Sequence, residues 1–192
     1  MTRVVLSLLA LCWGCSSPPP PGVLAPDPPV QVSLSAEPLA HRGYTLLPVA
    51  TFEVTARVLG VEGYHGQRHG RLAPYDIALG WGLMSDTAVL ERLDIAQHDR
   101  LYRWSRRDGA PDTPTIIRHS TNIHIVPASS GLGGRVASLR HGDVVTLRGQ
   151  LVDALAPDGS QWRTSRSRTD AGMGACEILW LEAVETRSVS GR

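Results

Sequence analysis

The residues best suited to chemistry lie in the second half of the chain: Cys176 in "GACEILWLEAV", His119 and His124 in "HSTNIH", and Asp170 in "RTDAGMGA". A cysteine nucleophile needs an accessible, electropositive setting and a base within reach. Arg168 and the loop amides of Gly172 to Ala175 would supply the setting, His119 or His124 the base, and Asp170 would orient the imidazole. Against this, Cys176 opens an apolar run, where a cysteine is ordinarily a small core hydrophobe, and that reading is preferred. No catalytic residue is therefore assigned. His119 and His124 are also metal candidates, and Cys176, Glu177 or His141 would have to complete such a site from elsewhere. The two histidines would meet on one ion only if the chain turned at Ser120 to Asn122, because residues five apart on an unbroken strand face opposite ways. Known zinc spacings such as HExxH or paired CxxC are absent, so neither a metal nor another cofactor is expected. His65 and His69 in "YHGQRHG" belong to a Gly-flanked polar loop.

Arginines supply a second chemistry. "RLYRWSRRDG" gathers Arg100, Arg103, Arg106 and Arg107 beside Tyr102 and Trp104, and "WRTSRSR" gathers Arg163, Arg166 and Arg168 beside Trp162. Basic residues interleaved with aromatics grip anions and stacked rings. Arg103, Trp104, Trp162 and Arg166 are thus the expected binding surface. All nineteen basic side chains are arginine, against eighteen acids, for a formal net charge of +1. That balance gives no reason to expect a nucleic-acid partner. Phosphate-binding loops, G-x-S-x-G elbows and dinucleotide fingerprints are missing as well.

The elements that must position these residues are mostly short strands. "TFEVTARVL" (51–59) puts Phe52, Val54, Ala56 and Val58 on one face, and "GDVVTLRGQLV" (142–152) does the same with Val145, Leu147, Gly149 and Leu151. Gly149 has no side chain to pack, which predicts a bulge or sharp bend of the kind that closes small barrels. "PDG" (157–159) predicts a turn and a hairpin with "SQWRTSRSR", in which Trp162, Thr164 and Arg166 share a face. "CEILWLEAV" is apolar on both faces and reads as a central strand. "IAQHDRLYRW" (95–104) and "TNIHIVP" (121–127) are further strands. "SDTAVLERL" predicts a helix capped by Ser85 or Asp86 with Val89, Leu90 and Leu93 inward, and "GGRVASLRHGD" a shorter one ending at Gly142. The expected fold is mainly all-β, a small barrel or sandwich with one or two short helices.

The N-terminus, "MTRVVLSLLALCWGCSSPPPPG", places Arg3 before an apolar run too short to span a bilayer, followed by Gly14 and Cys15. It resembles a bacterial lipoprotein signal, which implies cleavage before Cys15 and acylation, with palmitate among the acyl chains, of that cysteine. Cys12 and Trp13 depart from the usual residues. Ser16 and Ser17 after the cysteine, rather than aspartate, imply the outer membrane by the same resemblance, with secretion or a periplasmic location as the alternative. The chain thus divides into a signal peptide (1–14), a Pro-rich tether (15–40), one globular domain (41–187) and a tail (188–192).

"VASLRHGDVVTLRGQLV" resembles the opening of OB-like or SH3-like barrels, with a Gly-Asp turn before an alternating strand broken by glycine. "YDIALGWGLMSD", "HSTNIHIVPAS", "GDVVTLRGQLV" and "RTDAGMGACE" together resemble a group of uncharacterised bacterial exported proteins, which implies one compact domain and no particular activity. The expected function is a non-catalytic envelope lipoprotein. It would meet outer-membrane lipid through acylated Cys15 and bind an envelope protein or glycan. The alternative is an envelope hydrolase or metal-dependent enzyme using Cys176 with His119 or His124.

Overall fold

The alternating run around Phe52 extends in both directions to form a single 20-residue strand, β3 (Tyr44–Gly63). Its inward residues Phe52, Val54, Ala56 and Val58 are all at most 2% exposed. A computed structural model describes residues 22–66, 69–167 and 176–187 of the chain. Before β3 come β1 (Val30–Ser33) and β2 (Leu39–His41). After it come β4 (Tyr75–Gly80), β5 (Leu93–His98), β6 (Leu101–Arg106), β7 (Ser120–Pro127), β8 (Val144–Leu155), β9 (Gln161–Trp162) and β10 (Glu177–Arg187).

Strands β3, β4, β7, β10 and β8 follow one another through hydrogen-bonded pairs, and β8 pairs back onto β3, which closes the sheet into a barrel. Every pair is antiparallel except β7 with β10, which is parallel. This order is that of an OB-like barrel, a five-stranded Greek-key design, and so selects between the two barrel types expected. Phe52, Ile77, Leu79, Ile123, Ile125, Leu147, Leu151, Leu179 and Leu181 fill the interior in one apolar cluster. Val136 and Leu139, from and just after helix α3 (Ser130–Ala137), belong to the same cluster. Helix α3 thus sits between the third and fourth barrel strands, and Ser129 caps it by accepting from Leu132 N–H.

The irregularity expected at Gly149 falls on its partner strand: the bulge lies on β10, where the register shifts between Leu181 and Ala183 opposite Gly149 and Arg148. A β-carbon on Gly149 would overlap the Trp180 carbonyl oxygen, so a side chain is excluded by backbone rather than by packing. Gly80 is held by the same logic against the Met84 carbonyl.

Several local expectations change. "IAQHDRLYRW" is a hairpin rather than one strand: β5 pairs with β6, and the turn places Asp99 and Arg100 at φ +53° and +65°. Both central residues at positive φ is the type I′ pattern, whose twist matches the strands it joins. The helix in "SDTAVLERL" is only α1 (Thr87–Leu90), capped by Asp86, because Leu93 is drawn into β5. The later helix begins at Ser130 and stops before Ser138, while Gly142 takes φ +93° in the turn that leads to β8. Helix α2 (Thr113–Arg118), capped by Asp112 with a proline in its first turn, was not expected. The hairpin partner of β8 is only Gln161–Trp162, so Trp162, Thr164 and Arg166 do not share a strand face.

The tether also ends earlier than expected. From Gly22 onward the chain is docked on the barrel: Ser85 Oγ accepts from the N–H groups of Leu24 and Ala25, both at 3.1 Å, and Gly82 N–H donates to Ala25 O at 2.8 Å. Ala25 is buried, and β1 and β2 both add to β3. Extended proline-rich chain suits this role, because it is already in the conformation of an edge strand. Residues 1–21, with the expected signal and Cys15, and residues 188–192 lie outside the described residues. No described helix is long and apolar enough to cross a membrane.

Candidate functional site

Residues 77, 123 and 125 point into the barrel, so their neighbours Asp76, Asn122 and His124 must face outward. All three are nonetheless buried, because the β5–β6 hairpin and the β8–β10 connection lie over that face. The β4–β7 register sets Asp76 directly opposite His124. Asp76 has no exposed surface and gathers its neighbours: Arg100 Nη1 at 2.7 Å, His124 Nδ1 at 2.9 Å and Asn122 Nδ2 at 3.4 Å. The His124 contact is close but off the N–H axis, so it is a near contact rather than a linear hydrogen bond.

Arg100 reaches this acid from the I′ turn. Its backbone N–H donates to the Tyr64 hydroxyl at 2.8 Å and its Nη1 also to Ala73 O at 2.9 Å. The guanidinium lies 3.9 Å over the Tyr64 ring and 5.9 Å from that of Trp162. Its Nη2 is buried with no hydrogen-bond partner among the described residues. Burial raises the Tyr64 phenol, an effect partly offset by the hydrogen bond from Arg100. Asn122 ties the hairpin to the barrel, since its Oδ1 accepts from Gln97 Nε2 at 2.8 Å while its Nδ2 donates to Arg100 O at 3.3 Å.

Trp162 covers the group. Its ring is 4.7 Å from that of His124 and 4.4 Å from that of His69, tilted by 48° and 34°. The chain beyond it is fixed by polar bonds: Thr164 N–H donates to Asp153 at 2.9 Å, Ile178 N–H to Thr164 Oγ1 at 3.0 Å, and Ser165 N–H to Cys176 O at 3.0 Å.

These parts enclose a cleft of about 590 Å³, lined by Arg100, Leu101, His124, Trp162, Thr164 and Cys176 among others. A second depression of about 530 Å³ lies beside it, and the two share Gln161, Arg163 and Thr164. Both volumes fall in the range of small-ligand sites, roughly 300–1,000 Å³.

The sequence-predicted residues divide as follows. His124 and Trp162 come together in the cleft, and Cys176 lies at its margin with Sγ 3.8 Å from Asn122 Nδ2. His119 is elsewhere: it ends α2, its Nδ1 is 2.8 Å from Thr115 O, and its ring closes on Gly82. The two histidines therefore do not converge on one ion, and no group of three or more metal-ligating side chains occurs among the described residues. Asp170 lies outside the described residues. The four expected binding residues do not make one surface. Arg103 is exposed on β6 while Trp104 packs inward against the cluster of Leu59, Ala78 and Met84. Arg166 pairs with Asp153 at 3.1 Å in the second depression. Alternation explains the split, since neighbours on a strand face opposite ways.

Asp76, Asn122 and Tyr64 were missed. One signal was available: Ser120, Asn122 and His124 alternate along β7 with Thr121, Ile123 and Ile125, which puts three polar groups on one face. The chain matches no family model, no curated protein and no solved structure.

Proposed function

We propose that this chain is a cell-envelope lipoprotein, held to outer-membrane lipid through an acylated Cys15, whose barrel binds a ligand without catalysis in the cleft between Arg100, His124 and Trp162. The position of that cleft carries the reading. It lies on the β4–β7 face, bordered by His69 from the β3–β4 loop and by residues 161–164 and Cys176 from the β8–β10 connection. OB-like barrels bind oligonucleotides and oligosaccharides on this face between these two loops. That is an argument from fold, and the polar groups lining the cleft give it local support.

A second reading is favoured by one observation. The buried Asp76–His124 pair opens into a cleft that Cys176 also lines, which is the order acid, imidazole, thiol of a cysteine nucleophile. It is the weaker reading, because Asp76 is already committed to Arg100 and Asn122.

Two experiments test the proposal. Metabolic palmitate labelling is expected in wild type and absent in Cys15→Ser, and an unlabelled wild type refutes the anchor. Amide hydrogen exchange with and without a protein-free envelope extract is expected to show protection at residues 99–101, 122–124 and 161–164. Protection elsewhere, or none, refutes the cleft.

A further inference from the structure

The charges around the two depressions cancel. Arg100 is paired with Asp76 and Arg166 with Asp153, which leaves Arg163 and Asp99 as the remaining charged residues of the lining. Among the described residues three guanidiniums thus face three carboxylates. A polyanion such as an oligonucleotide requires an excess of positive charge to displace its counterions, and this site offers none.

Its hydrogen-bonding groups are of a different kind. Arg100 Nη2 is a buried donor with no hydrogen-bond partner among the described residues. His124 lines the same cleft, its ring 4.7 Å from that of Trp162. A guanidinium and an imidazole beside an aromatic ring suit a neutral hydroxyl, which both accepts and donates.

Extent adds to this. The depressions meet across β9 along Gln161, Arg163 and Thr164, and the far side adds Leu47, Ala154 and Leu155 to a mainly polar lining. Resting on the reading of the cleft as a binding site, we infer that the ligand is an uncharged oligosaccharide chain that crosses β9 and occupies both depressions. Amphipathic rings bearing neutral hydroxyls match the balanced charge, the aromatic wall and the polar lining. A phosphate chain does not match the balanced charge.

The test uses the whole chain with three probes: the β-1,4-linked tetramer of N-acetylglucosamine, its monomer, and a single-stranded oligothymidylate. At about 0.15 M ionic strength, where surface charge is screened beyond ~8 Å, calorimetry is expected to show the tetramer binding about tenfold or more tighter than the monomer, as linked contacts should. Amide shifts should appear on both sides, at Leu101 and His124 and at Ala154 and Arg166. Leu47→Ser, at an exposed position that lines the second depression and not the Trp162 cleft, should weaken the tetramer and leave the monomer unchanged. Trp162→Leu should weaken both by about tenfold, a factor of ten being about 1.4 kcal/mol, with an unchanged far-ultraviolet spectrum. The inference is overturned by equal affinities with shifts confined to the Trp162 side, by oligothymidylate binding more tightly than the tetramer, or by no saturable response to the tetramer. Should the envelope extract protect the cleft while the tetramer does not bind, the saccharide assignment fails and the binding cleft stands.

Discussion

Asp76→Asn removes the one carboxylate that holds the candidate site together. In the folded chain Asp76 is fully buried and meets Arg100, His124 and Asn122. Removing one partner of a buried ion pair costs about 3–5 kcal/mol, mostly because the other charge is left without compensation. Two features reduce that figure here. The Arg100 side chain is 17% exposed, so water in the cleft can solvate part of its charge, and asparagine keeps one acceptor oxygen. The expected loss is ~2–3 kcal/mol, above the ~1 kcal/mol of an ordinary neutral hydrogen bond. Urea unfolding near neutral pH measures it as a fall in midpoint at constant m-value. A double-mutant cycle with Arg100→Met isolates the pair, and a coupling above ~1 kcal/mol is expected for groups in direct contact. A loss below ~0.5 kcal/mol, or strictly additive effects, would show that Asp76 is not the organiser of the face.

Three further outcomes follow from the same geometry. Gly149→Ala forces a β-carbon into the Trp180 carbonyl and should cost at least ~2 kcal/mol, the range of overpacked sites, whereas Gly134→Ala in open space on α3 should stabilise by about 0.5–1 kcal/mol; thermal unfolding of the two variants in the reverse order contradicts the barrel closure. Burial, and secondarily the charge of Arg42, lowers the pKa of His41, whose Nε2 has no partner among the described residues. The unfolded chain, with its histidine at about 6.5, then binds a proton that the folded chain refuses, so stability should fall as pH drops from about 7.5 to 5.5. His41→Gln should show a smaller fall, and an equal one contradicts the assignment. Finally, a cleft that binds without catalysis leaves Cys176 an ordinary thiol, so alkylation by iodoacetamide at pH values below neutrality should be slow; rapid alkylation that is lost in His124→Gln would favour the enzyme reading instead.

Sequence exposed whatever depends on local period. The inward faces of 51–59 and 142–152 are as alternation requires, and the missing side chain of Gly149 marks a close backbone approach, because a period of two and an absent β-carbon are visible residue by residue. Closure of the barrel and its parallel β7–β10 pair come from pairings between distant segments, which no local pattern encodes. The same limit governs the site. Asp76 and His124 are far apart in sequence and meet only through register. Arg100 reaches them because a non-glycine turn takes positive φ at two successive residues, a choice that the flanking strand twist dictates and propensity opposes. Trp162 was readable as a binding aromatic. Trp104 looked equivalent in composition, yet the core absorbed it.

The most direct measurement of the central claim uses the indole N–H signals of Trp81, Trp104, Trp162 and Trp180 as four reporters in one spectrum. Trp81 is buried in the barrel core, Trp104 and Trp180 pack against the two outer clusters, and Trp162 also lines the cleft. On titration with a protein-free envelope extract the account predicts a saturable shift of the Trp162 signal, weakened in Arg100→Met, while Trp81 and Trp104 stay in place. A Trp162 signal that never moves, or a larger movement of Trp104, would contradict a ligand on the β4–β7 face.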